Sequence, residues 1–434
     1  MQFKVSSAPK LQGVINLPGD KSVTQRAILL NSIATGNATI RNNNTGNDAL
    51  SMFNCLQDLG ANIKNRFHKI NDEPFIEIHG LGLNGLHQPK SNLNAENSGT
   101  TMRLLAGLLS GQPFDSVIDG DDSLRSRPMK RIIEPLSKMG AEISGACNNT
   151  LPPLSIHGGN LKAIEYSPEV ASAQVKSCLL IAGLFAAGTT KLYDLKPSRD
   201  HTERMLKSMN ANITIHKTEI AVQPSILQAK DIFVPGDISA ASFWLVAGSC
   251  HKNSNILIKN VGINPSRTAI IEVLKSMGAR IKTNNPNNTL IEPIADLEVE
   301  SSQLTGTTIE GLIIPEIIDE IPILALAASC ATGTTVIKNA QELKFKESNR
   351  IKSTVDTLRK LGADIYATED GMVINGSNQL YGNECDSADD HRIAMLAAIA
   401  GLIAKGTTTI DKFESVDVSY PKFRETIDIL VQEN

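Results

Sequence analysis

Six short stretches gather basic, hydroxyl and acidic side chains around positions where helices should begin. LPGDKSVTQRAILL (17–30) sets Lys21, Ser22 and Arg26 just after Pro18-Gly19. ENSGTTMR (96–103) offers Gly99, where backbone can approach a ligand, then the hydroxyls of Thr100 and Thr101 and the cation Arg103. SLRSRPMKR (123–131) is a dense cationic cluster in which Pro128 restricts the conformation of Arg127. ASAQVKS (171–177) begins a helix with Ser172 and Gln174, and KFKESNR (344–350) and DDHRIAM (389–395) complete the set. Backbone N–H groups left open at a helix start, with hydroxyls and cations beside them, bind anions. A lone charge run is more often a solvated patch. Six at equivalent places in repeated units fit a different picture, in which helix N-termini converge on one cleft. Such a cleft suits small substrates carrying several negative charges, phosphates and carboxylates above all.

Two acids stand among these cations. Asp319 lies in IPEIIDEIPILALAA, a charged step expected between an apolar strand and an apolar helix, where burial would shift its pKa. Glu347 lies between Lys346 and Arg350, whose charges favour its ionised form. Acids in such settings suit proton transfer. The plainer alternatives are structural capping for Asp319 and a solvated helix start for Glu347.

The elements that must position these residues recur. One phrase joins a helix rich in small residues through a glycine to a strand: SIATGNATI (32–40), FAAGTTKLY (185–193), CATGTTVIK (330–338) and IAKGTTTID (403–411), with LLSGQPFDSVI (108–118) and VAGSCHKNSNILI (246–258) as looser versions. A second alternates with it: CLQDLGANI (55–63), PLSKMGAEI (135–143), MLKSMNANI (205–213), VLKSMGARI (273–281) and TLRKLGADI (357–365), with FRETIDILVQEN as a truncated last copy. Each helix is expected to stop at a glycine in the left-handed C′ conformation and lead into a short β-branched strand. Val23, Ala27, Leu30 and Ala34 follow helical spacing and predict one apolar face for the first helix. A spacing of roughly 60 to 85 residues is too long for a solenoid and suits whole βαβ-type units. Six units in a two-domain α/β protein suggest three per domain.

Length and composition set the bounds. At 434 residues the chain exceeds the usual size of a single core. Hydrophobic residues at 41% and charged residues at 20% suit a globular protein and exclude a disordered one. A net charge of -4 argues against nucleic acid as a partner. MQFKVSSAPK lacks the apolar region of a secretory signal, and the apolar run from Cys178 to Ala187 is too short to span a bilayer. No membrane association and a cytoplasmic location are therefore expected. The six cysteines are scattered and the eight histidines include no HExxH, so neither a metal nor a redox motif is expected. GLGLNG (80–85) satisfies a dinucleotide-binding pattern, but Pro89 spoils the helix that pattern needs. PGDKS (18–22) lacks the first glycine of a P-loop.

Over essentially the whole chain, PGDKSVTQRA, NSGTTMRLLAG, LRSRPM, ASAQVKS, SRDHTERML, VPGDISAASF, DEIPILALAA, FKESNRI and DHRIAM resemble, in order, the 5-enolpyruvylshikimate-3-phosphate synthase family. SAQVKS and SRDHTERML resemble its class II bacterial members. The resemblance implies an α/β (α+β) protein of two similar domains, each of three βαβαββ units in an inside-out barrel. Residues 1–17 with 236–434 would form one domain and 18–235 the other, with crossovers near 17–20 and 232–238 and the active site in the interdomain cleft. It also implies a monomer without metal or organic cofactor, inhibited by glyphosate. Its reaction would transfer the enolpyruvyl (carboxyvinyl) group of phosphoenolpyruvate to the 5-hydroxyl of 3-phosphoshikimate with release of phosphate, on the shikimate pathway to chorismate and the aromatic amino acids.

Carried over by motif, Lys21, Ser22, Arg26, Ser172, Ala173, Gln174, Arg199, Asp319 and Lys346 would bind 3-phosphoshikimate. Lys21, Gly99, Arg127, Gln174, Arg350 and Arg392 would bind phosphoenolpyruvate. Asp319 would accept the hydroxyl proton, with Glu347 and Lys21 the candidates for proton exchange around C3; which acid performs which step stays open. Three positions depart from the family's usual pattern: Asn349 for aspartate, Glu96 for glycine, and Val418-Ser419 where some members carry a lysine before Tyr420-Pro421. The related UDP-N-acetylglucosamine enolpyruvyl transferases carry Lys-Asn in place of Lys21-Ser22 and a reactive loop cysteine. GQPFDSVIDGDDSLR (111–125) contains no cysteine. A non-catalytic sensor on the same scaffold would be expected to lack one of the acids, yet Asp319 and Glu347 are both present.

Overall fold

The computed structural model describes residues 1–67, 74–169, 171–195, 198–377 and 379–431. The chain divides into two compact units, Gly19–Val234 and Met1–Pro18 with Pro235–Asn434.

The Gly19–Val234 unit holds three four-stranded sheets of one design. In order across each sheet, the strands are Ile232–Phe233, Thr35–Arg41, Pro74–Leu81 and Asn62–Phe67; then Leu93–Asn94, Asp115–Asp119, Leu151–His157 and Glu142–Gly145; then Glu165–Tyr166, Thr190–Tyr193, Glu219–Val222 and Ile213–His216. In every sheet the first pair is parallel and the other two are antiparallel. That pattern follows from βαβαββ connectivity. A parallel pair needs a helical crossover, whereas the last two strands close as a hairpin.

The other unit repeats the design with Leu11–Asn16, Ser254–Gly262, Ile294–Glu300 and Arg280–Asn287, and with Thr308–Ile309, Thr334–Ile337, Met372–Asn375 and Asp364–Ala367. Its third sheet has three strands. Glu384–Asp386 runs parallel to Thr407–Asp411, and Phe3–Ser6 pairs antiparallel on the other side. Among the described residues the truncated copy has no hairpin of its own, and the chain's first strand stands in its place. That copy continues as the helix Phe423–Val431, and its last three residues lie outside the described ones.

Each unit centres on three helices, Lys21–Ser32, Gly99–Ser110 and Ala173–Gly183 in one and Ile238–Cys250, Ile321–Cys330 and His391–Ile403 in the other. The first is not the one-faced helix predicted. It is buried from Val23 through Ser32 on all sides, and Ala34 lies beyond its end. Helices and strands pack around it, so its polar residues bond to its own backbone: Asn31 donates to Ala27 O (3.0 Å) and Ser32 to Ile28 O (2.7 Å).

The glycines of the two phrases also do different work. In the second phrase Gly60 follows the helix Asn47–Asp58 with φ 88°, and the Ala61 N–H returns to Leu56 O at 2.9 Å, closing the helix end. In the copy without glycine Asn210 takes φ 61° and Ala211 N bonds Leu206 O at the same 2.9 Å. In the first phrase the expected cap is absent. Helix Lys21–Ser32 ends four residues before Gly36, which lies inside the next strand. A further correction concerns the segment before Asp319. It is the short helix Ile314–Ile317, not a strand. Pro315 lies in the first turn, where its fixed φ and missing N–H are tolerated, whereas within a strand it would remove a ladder bond.

Candidate active site

In the Gly19–Val234 unit the starts of all three central helices are tied together by side chains. Asp20 caps the first, accepting from Val23 N at 2.9 Å. Lys21 follows and pairs with Asp48 at 2.6 Å, both side chains largely buried. One turn on, Arg26 is buried among hydroxyls: Nε donates to Thr202 Oγ1 (2.8 Å), Nη2 to Ser177 Oγ (3.0 Å), and Nη1 to Ser22 O (3.1 Å). Gln25, on the same turn, donates to Ser98 Oγ at 2.9 Å, and Ser98 caps the second helix.

Gly99 is the first residue of that helix. Gln174, one residue into the third, donates to Thr100 Oγ1 at 2.8 Å and accepts from Arg103. Ser172 caps the third helix, accepting from Val175 N at 3.3 Å, and Ala173 is its first residue. Arg127, 7% exposed, donates to Asn97 Oδ1 (2.5 Å) and Ser123 Oγ (3.1 Å). A Cβ built on Gly99 would lie 2.8 Å from Arg103 Nη1 and 3.5 Å from Arg127 Nη1. Gly99, Gln174, Arg103 and Arg127 therefore form one cluster. Arg199 lies partly exposed, two residues before the helix His201–Ser208 that carries Thr202. Lys176, although within the SAQVKS motif, is buried between Asp194 and Glu203 at 2.7 Å from each. Burial pushes the Glu203 carboxyl above its usual range, against the pull of Lys176.

In the other unit the acids and cations form a second cluster. Asp319 lies between the helices Ile314–Ile317 and Ile321–Cys330. Its Oδ1 accepts from Lys346 Nζ at 3.0 Å and from Arg350 Nη1 at 3.1 Å. Arg350 starts the helix Arg350–Lys360 and is 1% exposed. It also donates to Glu347 through Nη2 and to Asp390 Oδ2 through Nε at 2.8 Å. Asp390 is fully buried and caps the helix His391–Ile403, accepting from Arg392 N at 2.9 Å and from Ser348 Oγ at 3.1 Å. Burial opposes charge on Asp390, yet Arg350 and His391 outweigh it and hold the carboxyl below its usual range. Burial likewise works against charge on Arg350, and Asp390, Glu347 and Asp319 together raise its pKa further. Arg392 Nη1 donates to the Asp319 carbonyl at 2.8 Å.

Beside this cluster Glu320 is fully buried. It accepts from Ser239 and lies 3.3 Å from Arg267 and 3.9 Å from Arg392. The phrase PGDISAASF repeats PGDKSVTQR, with Ile238 at the place of Lys21 and Phe243 at the place of Arg26, so the cations at that helix start belong to one unit only.

Sequence reasoning missed the partners that hold the site residues: Asp48 for Lys21, Thr202 and Ser177 for Arg26, Arg103 for Gln174, and Asp390 for Arg350. Asp390 carried a readable signal, since an aspartate directly before a helix start is a strong N-cap. The other partners come from distant segments, and nothing local marks their pairings. Among the described residues no three His, Cys, Asp or Glu side chains are grouped to hold a metal, and no helix is long and apolar enough to cross a membrane.

The sequence pattern described as EPSP synthase (3-phosphoshikimate 1-carboxyvinyltransferase) matches residues 5–427. The chain belongs to the EPSP synthase family. A 3-phosphoshikimate 1-carboxyvinyltransferase of Bacillus cereus is 49% identical over 423 residues, covering 97% of each chain. One from Petrotoga mobilis is 48% identical over 429 residues, 98% of each. The solved EPSP synthase of Acinetobacter baumannii matches with a TM-score of 0.86 at 42% identity, covering 99% of this chain and 98% of that one. The fold is accordingly the two-domain enolpyruvyl transferase fold.

Two departures from the usual pattern of EPSP synthases have clear local accommodation. Glu96 takes φ 50°, the left-handed conformation a glycine would favour, and its exposed side chain accepts from Asn94 Nδ2 at 2.7 Å. Asn349 caps the helix Arg350–Lys360, accepting from Lys352 N at 3.2 Å, a task aspartate would perform equally.

Proposed function

We propose that this protein transfers the enolpyruvyl group of phosphoenolpyruvate to the 5-hydroxyl of 3-phosphoshikimate and releases phosphate, by addition and elimination. The observation that carries this reading is the Asp319 carboxylate, held by Lys346 and Arg350 beside Glu347, in a chain of the EPSP synthase family. Asp319 accepts the hydroxyl proton as oxygen attacks C2 of phosphoenolpyruvate. Glu347 and Lys21 are the groups suited to give C3 a proton and take it back as phosphate leaves.

3-Phosphoshikimate is bound by Lys21, Ser22, Arg26, Ser172, Ala173, Gln174, Arg199, Asp319 and Lys346. Phosphoenolpyruvate is bound by Lys21, Gly99, Arg127, Gln174, Arg350 and Arg392. Arg350 has five N–H groups. Its four bonds to Asp319, Glu347 and Asp390 leave one at Nη1 for a substrate oxygen. The arginines act as fixed charge, offsetting the negative charge that develops as phosphate departs. In this reading the enzyme works as a cytoplasmic monomer.

Mass spectrometry of the product tests the assignment. Incubation with both substrates should add one carboxyvinyl group to 3-phosphoshikimate, and UDP-N-acetylglucosamine in its place should gain none. An enolpyruvylated nucleotide sugar would overturn the reading in favour of the related transferase.

A further inference from the structure

Cys250 and Cys330 are the last residues of two central helices in the same unit, Ile238–Cys250 and Ile321–Cys330, which pack against each other. Both follow a serine, Ser249 and Ser329, and occupy matching places in the first repeated phrase. Both are partly buried against the core, as is Ile403 at the end of the third central helix.

The corresponding positions also converge in the other unit. Gly111 stands at the place of Cys250, four residues before its strand, and Phe185 at the place of Cys330, three residues before the phrase's glycine. A Cβ on Gly111 would lie 2.4 Å from the Phe185 ring. Repeat geometry therefore brings these helix ends together, and in this unit the residues at the two ends are thiols close enough to influence one another. No other pair of the six cysteines shares a helix packing of this kind: Cys55, Cys178 and Cys385 are buried in separate places and Cys147 is exposed.

We propose that Cys250 and Cys330 form a dithiol site that small-molecule disulfides oxidise to an intramolecular disulfide, joining two central helices at their C-terminal ends. One thiolate attacks a sulfur of oxidised glutathione, forming a mixed disulfide and expelling one glutathione thiolate. The second cysteine, as its thiolate, attacks the protein sulfur of that mixed disulfide, forming the Cys250–Cys330 bond and expelling the second glutathione. Two protein thiols lose two electrons and two protons, and the oxidant's disulfide is reduced to two thiols. The neighbouring Cys330 thiol, and then burial, push the Cys250 thiol well above its usual range, so the exchange is slow at neutral pH and quickens as pH rises. The helix Ile321–Cys330 separates this site from Asp319 by about 15 Å, and neither cysteine belongs to the proposed catalytic machinery.

The test treats the whole protein with oxidised glutathione at pH about 8.5, near the ordinary thiol pKa, then alkylates remaining thiols and maps peptides without reduction. The expected result is a linked Cys250–Cys330 peptide that dithiothreitol separates, with Cys147 carrying a glutathione adduct as proof that the oxidant acted. In Cys330→Ser, which should turn over substrate normally, Cys250 should instead hold a trapped glutathione. Recovery of Cys250 and Cys330 as two separately alkylated thiols, beside a modified Cys147, would overturn the proposal.

Discussion

Arg350 Nη1 donates to Asp319 Oδ1 at 3.1 Å, while the same guanidinium binds the buried carboxylate of Asp390 at 2.8 Å. The proposed base is therefore fixed by a cation that is itself anchored from behind. Such an arrangement holds Asp319 in place at the cost of a buried charge that cannot lose its partner.

Asp390→Ala should accordingly destabilise the protein by about 3–5 kcal/mol, because it leaves Arg350 buried without its anchor. Thermal unfolding of the variant, followed by circular dichroism, measures this. The pH dependence has a definite sign. The Asp390 carboxyl lies below its usual range when folded, so its contribution is present above the unfolded value of about 3.9 and is lost as pH falls from there through the lower folded value. The variant and the parent should therefore converge in stability under strong acid.

Asp319→Asn should lower kcat by about 10²–10⁴-fold while weakening 3-phosphoshikimate binding far less. The amide keeps the shape and can still accept through its oxygen, but it cannot take the hydroxyl proton. Steady-state kinetics beside calorimetric binding separates the two effects. Near-normal turnover would remove Asp319 from the role of base.

The two sets of anion-binding residues should divide by substrate. Arg26→Ala and Ser172→Ala should weaken 3-phosphoshikimate binding. Arg127→Ala and Arg392→Ala should mainly raise the KM for phosphoenolpyruvate, since arginine pairs with carboxylate and phosphate through paired N–H groups. KM values for both substrates across the four variants test this, and equal effects on both substrates would refute the division.

Gly99→Ala should relieve inhibition by glyphosate more than it harms turnover. The added Cβ would meet Arg103 Nη1 at 2.8 Å, and Arg103 in turn donates to Gln174. Displacing that guanidinium crowds the proposed phosphoenolpyruvate site. The family's phosphonate inhibitor is longer than the substrate and should suffer more. Overpacking a fitted site costs roughly 1–3 kcal/mol, or about tenfold and more in affinity. Inhibition constants for the parent and the variant, set beside both KM values, decide it.

How much of this could be read from the residues depended on whether the signal was local. The second phrase encodes its own helix end, so Gly60 and even Asn210 mark that end by residue type and position alone. The pairing of Phe3–Ser6 with Thr407–Asp411 joins opposite ends of the chain and leaves no local mark. Periodicity misjudged the first helix because helices and strands pack around it, so Thr24 and Gln25 are buried as deeply as Val23, and Arg26 is buried too. Isoleucines made the segment before Asp319 look like a strand, although Pro315 was the better guide. The cationic clusters were legible as types and spacing. Which carboxylates pair with them was not, because Asp48 and Asp390, the latter legible only as a cap, come from elements that only folding brings near Lys21 and Arg350.

Phosphate release from phosphoenolpyruvate, measured with and without 3-phosphoshikimate, tests the proposed activity most directly. The account predicts steady release when both substrates are present and none from phosphoenolpyruvate alone. Release that ignores 3-phosphoshikimate, or no release with both substrates at saturating concentration, would contradict it.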